Sequence, residues 1–459
     1  MFFGATAYAA DFKNIASSND SYNVQLVPLD PPTISSEGVF PTAIAIDPSG
    51  RFVYIVNNSS NTLAAFSINT TSNANIGGLT KLMEPIKTKA SPWSIAIAPT
   101  GGYLDISTNS GISQYKLDKT TGLLTLNKEF KIKDMSNGGN VGLTFNPNNN
   151  GLYVSIADKG GVHWFTTDKN GAIQKDSQTI SARKGAFEMI TDSLGKNLYV
   201  ANYNYNKRSI SMYHIAKSGK LSQSNPANVN TGFTTLGMAI TPNQNYVYAS
   251  NFFGDSMSTL SRNLTDGILS VQAVTTTSNS TPSLMAIDPT GRYLIVTSNG
   301  SSELGMYIID QNTGALTNFT KVASGTNSAG IAIDPTGNFV YVLNNRDNTI
   351  SMYRIKQNVQ LVGPLQNQYV ANGDRMVFTN NSGANLTIAN ITTTPGVQLI
   401  ISPVGDTCTG QTIPNNSSCS FFVNVPKYYN IPTLINMIIK YAPGGNALFP
   451  IYVSYLPAM

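Results

Sequence analysis

Side chains that could support acid–base chemistry are sparse in this sequence, and the stretch over residues 183–188 stands out. Arg183 and Glu188 mark its two ends, so a guanidinium and a carboxylate could lie close together. A carboxylate can act as a general base near neutral pH when its surroundings raise its pKa. Glu188 and Arg183 are therefore candidate catalytic residues. The alternative interpretation is a solvated or ion-paired Glu188 with no chemical role.

Other catalytic groups are few. The two histidines, His163 and His214, lie inside β-branched and aromatic runs typical of strands. We expect structural roles for both, which leaves any general-base chemistry to a carboxylate. The chain has no Gly-rich phosphate loop, no Gly-x-Ser-x-Gly motif and no Asp-rich calcium loop. The sequence thus predicts no metal site and no cofactor.

A turn motif repeats along most of the chain. It is first seen as Asp47-Pro48-Ser49-Gly50 and returns with its second position at residues 48, 99, 147, 193, 242, 289 and 335, which are 46 to 51 residues apart. Periods of this size indicate repeated supersecondary units. We expect the motif's aspartates to hydrogen-bond the backbone of their own turns.

Each repeat carries four strand-like runs. In the first repeat a small apolar run at residues 44–46 precedes the turn, and β-branched or aromatic runs cover residues 52–56 and 63–68. A Thr-Gly or Ser-Gly turn and a polar fourth run complete most repeats. Seven such units predict an all-β protein with a seven-bladed β-propeller, whose first strands line a central channel.

The ends of the repeat region share a pentapeptide. Asn23-Val24-Gln25-Leu26-Val27 recurs at residues 358–362, and both copies stand where a fourth strand belongs. We predict that the N-terminal copy pairs into the last blade and closes the ring, which removes the open edges.

The second runs carry a family resemblance. Phe52-Val53-Tyr54-Ile55-Val56-Asn57 and residues 198–202 and 340–344 resemble the YVTN-type repeat of lactonase-like seven-bladed propellers. That family includes 6-phosphogluconolactonase and secreted surface propellers, and the resemblance covers roughly residues 22 to 366. Its lactonases carry a Pro-Arg-His signature in the fourth blade. Here residues 185–188 read Gly-Ala-Phe-Glu, and residues 201–203 replace the family's acidic position with Ala-Asn-Tyr.

The top face of such a propeller carries the loops that lead into the first strands and the loops that join second to third strands. Trp93, Phe187, Tyr203 and Phe252 fall in these segments and could form an aromatic floor for a sugar ring or a peptide. Alternatively, these rings plug the channel. Arg208 and Arg346 fall on the same face and complete the predicted ligand-binding set.

Composition narrows the classes of partner. Charged residues make up 12% of the 459-residue chain, the net charge is +5, and no run of basic residues suits a nucleic-acid backbone. No apolar stretch is long enough to cross a bilayer. Residues 1–20 are interpreted as the remnant of a secretion signal with a linker, or as an untidy N-terminus. The propeller is placed at residues 21–366.

Residues 370–459 predict a small Ig-like β-sandwich with about six strands. Its Cys408 and Cys419 could form a disulfide that closes a short loop and marks an oxidising compartment. Two free buried thiols or a metal pair are the alternatives. The segment also resembles C-terminal sandwich modules of bacterial surface proteins, and this resemblance implies the disulfide.

Two main hypotheses for function follow. The first is a monomeric, extracytoplasmic (periplasmic, secreted or cell-surface) binding or scaffold protein that presents its top face to a protein or carbohydrate partner. The second is a lactonase-like hydrolase that acts on a sugar lactone through Glu188 and Arg183. A structural envelope or adhesion component is a third possibility.

Overall fold

The computed structural model describes residues 24–71, 75–132, 142–148, 151–204, 207–277 and 280–357, and in the tail residues 368–371, 375–380, 386–393, 400–402, 406–414, 417–424, 433–442 and 445–454. The chain divides into two compact units, Leu26–Ile355 and a second unit of Lys356–Met459 with Met1–Gln25. Within the described ranges, no helix has the length and apolar character needed to cross a membrane. The predicted boundaries near residues 20 and 366 fall outside the described ranges and stay predictions.

The larger unit is a seven-bladed β-propeller of antiparallel sheets. Its inner strands contact one another in sequence, and Pro41–Ile46 contacts both Ile95–Ile97 and Ser328–Ile333, so the ring is closed. The inner, second, third and outer strands are, blade by blade, Pro41–Ile46, Phe52–Asn57, Thr62–Ile68 and Leu79–Lys81 with Ile86–Lys87; Ile95–Ile97, Tyr103–Thr108, Gly111–Leu117 and Leu124–Lys131; Leu143–Phe145, Leu152–Ile156, Gly161–Thr167 and Ile173–Ser181; Ala186–Thr191, Asn197–Asn204, Lys207–Ile215 and Leu221–Asn230; Thr235–Ile240, Tyr246–Asn251, Ser256–Arg262 and Leu269–Thr276; Pro282–Ile287, Tyr293–Ser298, Glu303–Ile309 and Leu316–Ala323; and Ser328–Ile333, Phe339–Asn344, Thr349–Gln357 and Val24–Ser35.

The closure prediction is confirmed. Val24–Ser35 is the outer strand of blade 7 and lies beside the third strand, Thr349–Gln357. The chain then passes Asn348, whose carbonyl oxygen accepts a hydrogen bond from Ser36 N at 2.9 Å. The C-terminal copy of the pentapeptide, residues 358–362, lies outside the described residues.

The second and third strands are buried because each blade packs between two others. Tyr54 of blade 1 shares a core cluster with Leu104 and Tyr115 of blade 2. Val53, on the opposite face of the same strand, shares a cluster with Tyr341 of blade 7. The turn aspartates behave as predicted, since Asp47 Oδ1 accepts hydrogen bonds from the backbone of Arg51 and Phe52.

A tyrosine hydroxyl ties most blades to the next one. The tyrosine of the second strand donates to the carbonyl oxygen of a glycine in the turn before the next blade's outer strand, at 2.6 to 2.9 Å. The pairs are Tyr54 with Gly122, Tyr153 with Gly219, Tyr199 with Gly267, Tyr248 with Gly314, and Tyr341 with Gly77. These glycines have φ between 71° and 86°, and a Cβ there would lie within 2.9 Å of a side chain of the preceding blade. Both constraints require glycine.

Two blades depart from this pattern, each with a physical reason. In blade 2 Asp105 takes the tyrosine position, and the Nε2 of its strand partner Gln114 bonds both Asp105 Oδ1 at 2.9 Å and Gly171 O at 3.2 Å. Burial raises the pKa of the Asp105 carboxyl well above its usual value, although the Gln114 hydrogen bond opposes that shift. In blade 6 Ile295 stands at this position. The outer strand of blade 7 comes from the N-terminus, so no turn of that kind exists to accept a hydroxyl.

The smaller unit contains two sheets. The strand order is Gln368–Ala371, Gly445–Ser454, Thr433–Ala442, Leu386–Thr393 and Thr412–Ile413 in one, and Arg375–Thr379, Ser418–Asn424 and Ile400–Ser402 in the other. The predicted disulfide between Cys408 and Cys419 is confirmed. Phe378 and Phe421 stack in the interior with centroids 5.4 Å apart. Membership of the Ig-like class stays a prediction.

Tyr248→Phe should lower the free energy of unfolding by about 1–2 kcal/mol, because the Gly314 carbonyl would lose a buried donor. Denaturant unfolding followed by tryptophan fluorescence measures this, since Trp93 and Trp164 are the only tryptophans and both lie in the propeller. Tyr103→Phe is the matched control, because the Tyr103 hydroxyl makes no hydrogen bond within the described residues. Equal losses in both variants would contradict the role of the tie.

Candidate functional site

Glu188 is the only ionisable side chain in the described inner strands. The other residues of these strands are small, apolar or hydroxyl-bearing. Glu188 is half-buried, and its Oε2 accepts a hydrogen bond from the backbone N of Met238 in blade 5 at 2.6 Å. Its carboxyl group therefore bridges the inner strands of blades 4 and 5.

The surroundings of Glu188 change its acidity. Burial raises the pKa of the Glu188 carboxyl from 4.5 to about 8, and the hydrogen bond from Met238 opposes the shift only in part. Burial has this effect because it disfavours the charged form. At neutral pH the group is mostly a neutral acid that can donate a hydrogen bond. It also exchanges its proton in the range useful to a general acid or base.

The arginines predicted for the site lie apart from this carboxyl group. Arg183 is half-buried in the segment before the inner strand of blade 4, and Arg346 is exposed between the second and third strands of blade 7. Among the described side chains, neither arginine forms an ion pair with Glu188. The catalytic role of Arg183 and the binding role of Arg346 stay predictions.

The predicted aromatic residues lie together in a continuous row. Trp93 meets Phe187 edge to face with centroids 6.2 Å apart, and Phe187 meets Tyr203 at 5.7 Å. Tyr203 meets Phe252 at 5.8 Å. Blades 2 and 4 are not neighbours in the ring, so the contact between Trp93 and Phe187 reaches across the mouth of the channel.

Phe253 is a member of this row that the sequence reasoning missed. It lies 4.9 Å from Phe252 and 6.3 Å from Tyr203, and 50% of it is exposed. A short 3-10 turn, Phe252–Gly254, replaces the alternation of a strand. Two consecutive rings can therefore join one cluster. The Phe-Phe-Gly sequence directly after a strand was the available signal.

Arg208 extends the row toward blade 5. It pairs in register with Tyr203, and its guanidinium lies over the ring of Phe233 at 4.6 Å from the centroid. This is a cation–π distance. The exposed Arg208 thus places a positive charge at the end of the aromatic row.

Both histidines bond within their own blades, as predicted. His163 Nδ1 lies 2.7 Å from Thr179 Oγ1 on the neighbouring outer strand. His214 Nδ1 lies 3.1 Å from Asn197 Oδ1 on the second strand of blade 4. General-base chemistry in the described part of the channel therefore depends on Glu188.

The closed ring and its single channel carboxylate define the class as a seven-bladed propeller with a ligand site at one channel mouth. More specifically, the chain belongs to the family "Lactonase, 7-bladed beta-propeller", whose model matches residues 31–95, 98–235 and 226–328. The expected family resemblance is confirmed. No curated protein matches the chain.

Several solved structures share the fold at low sequence identity. A candidate 6-phosphogluconolactonase from Bacteroides fragilis is 16% identical over 69% of this chain and 91% of its own, with a TM-score of 0.56. The Pseudomonas aeruginosa periplasmic gluconolactonase is 15% identical over 79% and 95%, with a TM-score of 0.54. Kuenenia stuttgartiensis hydrazine synthase is 17% identical over 69% and 96%, with a TM-score of 0.55. At these identities the likeness shows the fold alone.

Glu188→Gln should remove a pH dependence of stability. Between pH 4.5 and about 8 the unfolded chain has lost this proton while the folded protein retains it. Wild-type stability therefore declines over that range, with an upper limit of about 1.4 kcal/mol per pH unit. Unfolding curves at pH 5 and pH 9 test this. Glu303→Gln, a surface carboxylate beside Lys321, should keep the wild-type decline. An unchanged decline in Glu188→Gln would refute the assignment.

Proposed function

We propose that the propeller binds a carbohydrate at the mouth of its channel. The observation that carries the proposal is the continuous row of five rings from Trp93 to Phe253. Partly exposed aromatic rings offer apolar surface to the C–H faces of a sugar, while nearby polar groups fix its orientation.

The polar groups beside the row suit such a ligand. The neutral Glu188 carboxyl group can donate a hydrogen bond to a hydroxyl or carbonyl oxygen, and Arg208 supplies further donors at the other end. Membership of the lactonase family and neighbours described as gluconolactonases favour a sugar over a peptide.

An extracytoplasmic location accompanies this proposal. The disulfide of the smaller unit is of the kind that persists in oxidising compartments. One structural neighbour is described as periplasmic, which agrees with the same location.

Hydrolysis of a sugar lactone is the second candidate, and the pKa of about 8 at Glu188 favours it. The ionised carboxylate would remove a proton from water as the water oxygen attacks the lactone carbonyl. Cleavage of the ring C–O bond would then return that proton to the departing alkoxide, and a hydroxy acid would leave. The substitutions at residues 185–187 mean that this chemistry differs from the family signature.

Tyr203→Ala should weaken binding of a sugar ligand by roughly tenfold, because loss of one stacking ring costs about 1–1.5 kcal/mol. Calorimetric titration with glucono-δ-lactone, gluconate and neutral oligosaccharides measures this. Tyr203→Phe keeps the ring and should bind like the wild type, and so should Phe130→Ala, a ring on the outer strand of blade 2. Unchanged affinity in Tyr203→Ala would exclude the row as the binding surface.

If the chain hydrolyses lactones, kcat/KM should rise with pH to a plateau above about 8, because only ionised Glu188 is active. Glu188→Gln should abolish turnover over the whole range while binding persists. Glu303→Gln is the control and should follow the wild-type profile. Turnover that survives in Glu188→Gln would rule out this mechanism.

A further inference from the structure

The seven outer strands of the propeller provide an internal comparison. An exposed edge strand can pair with another chain, and proteins protect such edges with charged residues or proline. Six of the outer strands carry at least one such residue, namely Lys81 and Lys87, Lys128, Lys175, Pro226, Lys321, and Pro28 with Asp30. The outer strand of blade 5, Leu269–Thr276, carries neither.

This unprotected strand is also open to solvent. Every side chain from Ser270 to Thr276 is exposed, and Val271 and Val274 keep 37% and 54% of their surface. Val271 pairs with Leu260 and Val274 with Ser258 across a bulge at Gln272. Leu260 and Ser258 are two positions apart, so the two exposed valines share one face of the sheet.

The backbone of the strand has free hydrogen-bonding capacity on its outer side. Thr277 N donates to Asp255 O of the same blade at 2.8 Å. In an antiparallel pair the inward-facing residues alternate, so Thr275 and Ala273 also face the third strand. The N–H and C=O groups of Val274 and Thr276 therefore point away from the blade.

We propose that this strand pairs edge to edge with the same strand of a second copy of the chain. A two-fold axis through Thr275 would place Val274 of one copy opposite Thr276 of the other. Four backbone hydrogen bonds would then join the copies. The resulting dimer would leave both channel mouths accessible, and it does not depend on the proposed function.

Composition is the reason that the occupant is a second copy. A two-fold axis places each side chain close to its own counterpart, so a charged strand would repel itself. The blade 5 strand has no charge that would oppose self-pairing, and none that would recognise an acidic or basic partner. Its Val and Thr residues favour strand pairing.

Analytical ultracentrifugation of the full chain over a concentration series tests the proposal. The wild type should show a monomer–dimer equilibrium, and Val274→Lys should raise its dissociation constant by at least roughly tenfold. Leu126→Lys is the matched control, because Leu126 is 52% exposed on the outer strand of blade 2. It should dimerise like the wild type.

Two further variants separate pairing from folding. Thr276→Pro removes an outward-facing N–H and should weaken the dimer while the thermal unfolding midpoint stays within a few degrees. An equimolar mixture of Val274→Lys and Val274→Glu should dimerise more strongly than either variant alone, because opposite charges then face each other. A wild type that stays monomeric, or a Val274→Lys variant that dimerises like it, would overturn the proposal.

Discussion

The hydrogen bond from a buried tyrosine to a glycine carbonyl of the next blade is the contact on which the ring depends. Each blade is a small sheet that cannot bury both faces alone, so its stability comes from its neighbours. The Tyr199 hydroxyl reaches Gly267 O at 2.6 Å inside that interface, and burial raises the pKa of Tyr199 to about 12. The tie therefore stays protonated and intact across the physiological range, and it sets the offset between adjacent blades.

The two exceptions show what the tie requires. Blade 2 keeps the bond to the glycine carbonyl but makes it with Gln114, and a buried Asp105 fills the space of the ring. Blade 6 has Ile295 because the blade that follows it takes its outer strand from the N-terminus. Ring closure by an N-terminal strand and loss of one tyrosine are thus consequences of the same topology.

The closed ring in turn creates the candidate site. Inner strands of alanine and isoleucine form a channel with little polar surface, so the one carboxyl group in the described strands, at Glu188, is disfavoured as an anion. At the mouth, segments from blades 2, 4 and 5 bring five rings into contact. An apolar, ring-lined mouth above a neutral acid is a surface for a polyhydroxylated ligand rather than for a strongly charged one.

The sequence by itself determined the blade number, the strand order within a blade, the closing strand and the disulfide pair. These features follow from local patterns such as turn motifs, period-two alternation and Thr-Gly or Ser-Gly dipeptides, which act over a few residues. Only the tertiary structure decided that Trp93 meets Phe187 across the channel mouth and that Phe253 joins the row. It also decided that Glu188 bonds Met238 and not Arg183. Such contacts join residues far apart in the chain, and their geometry depends on how the blades pack around the axis.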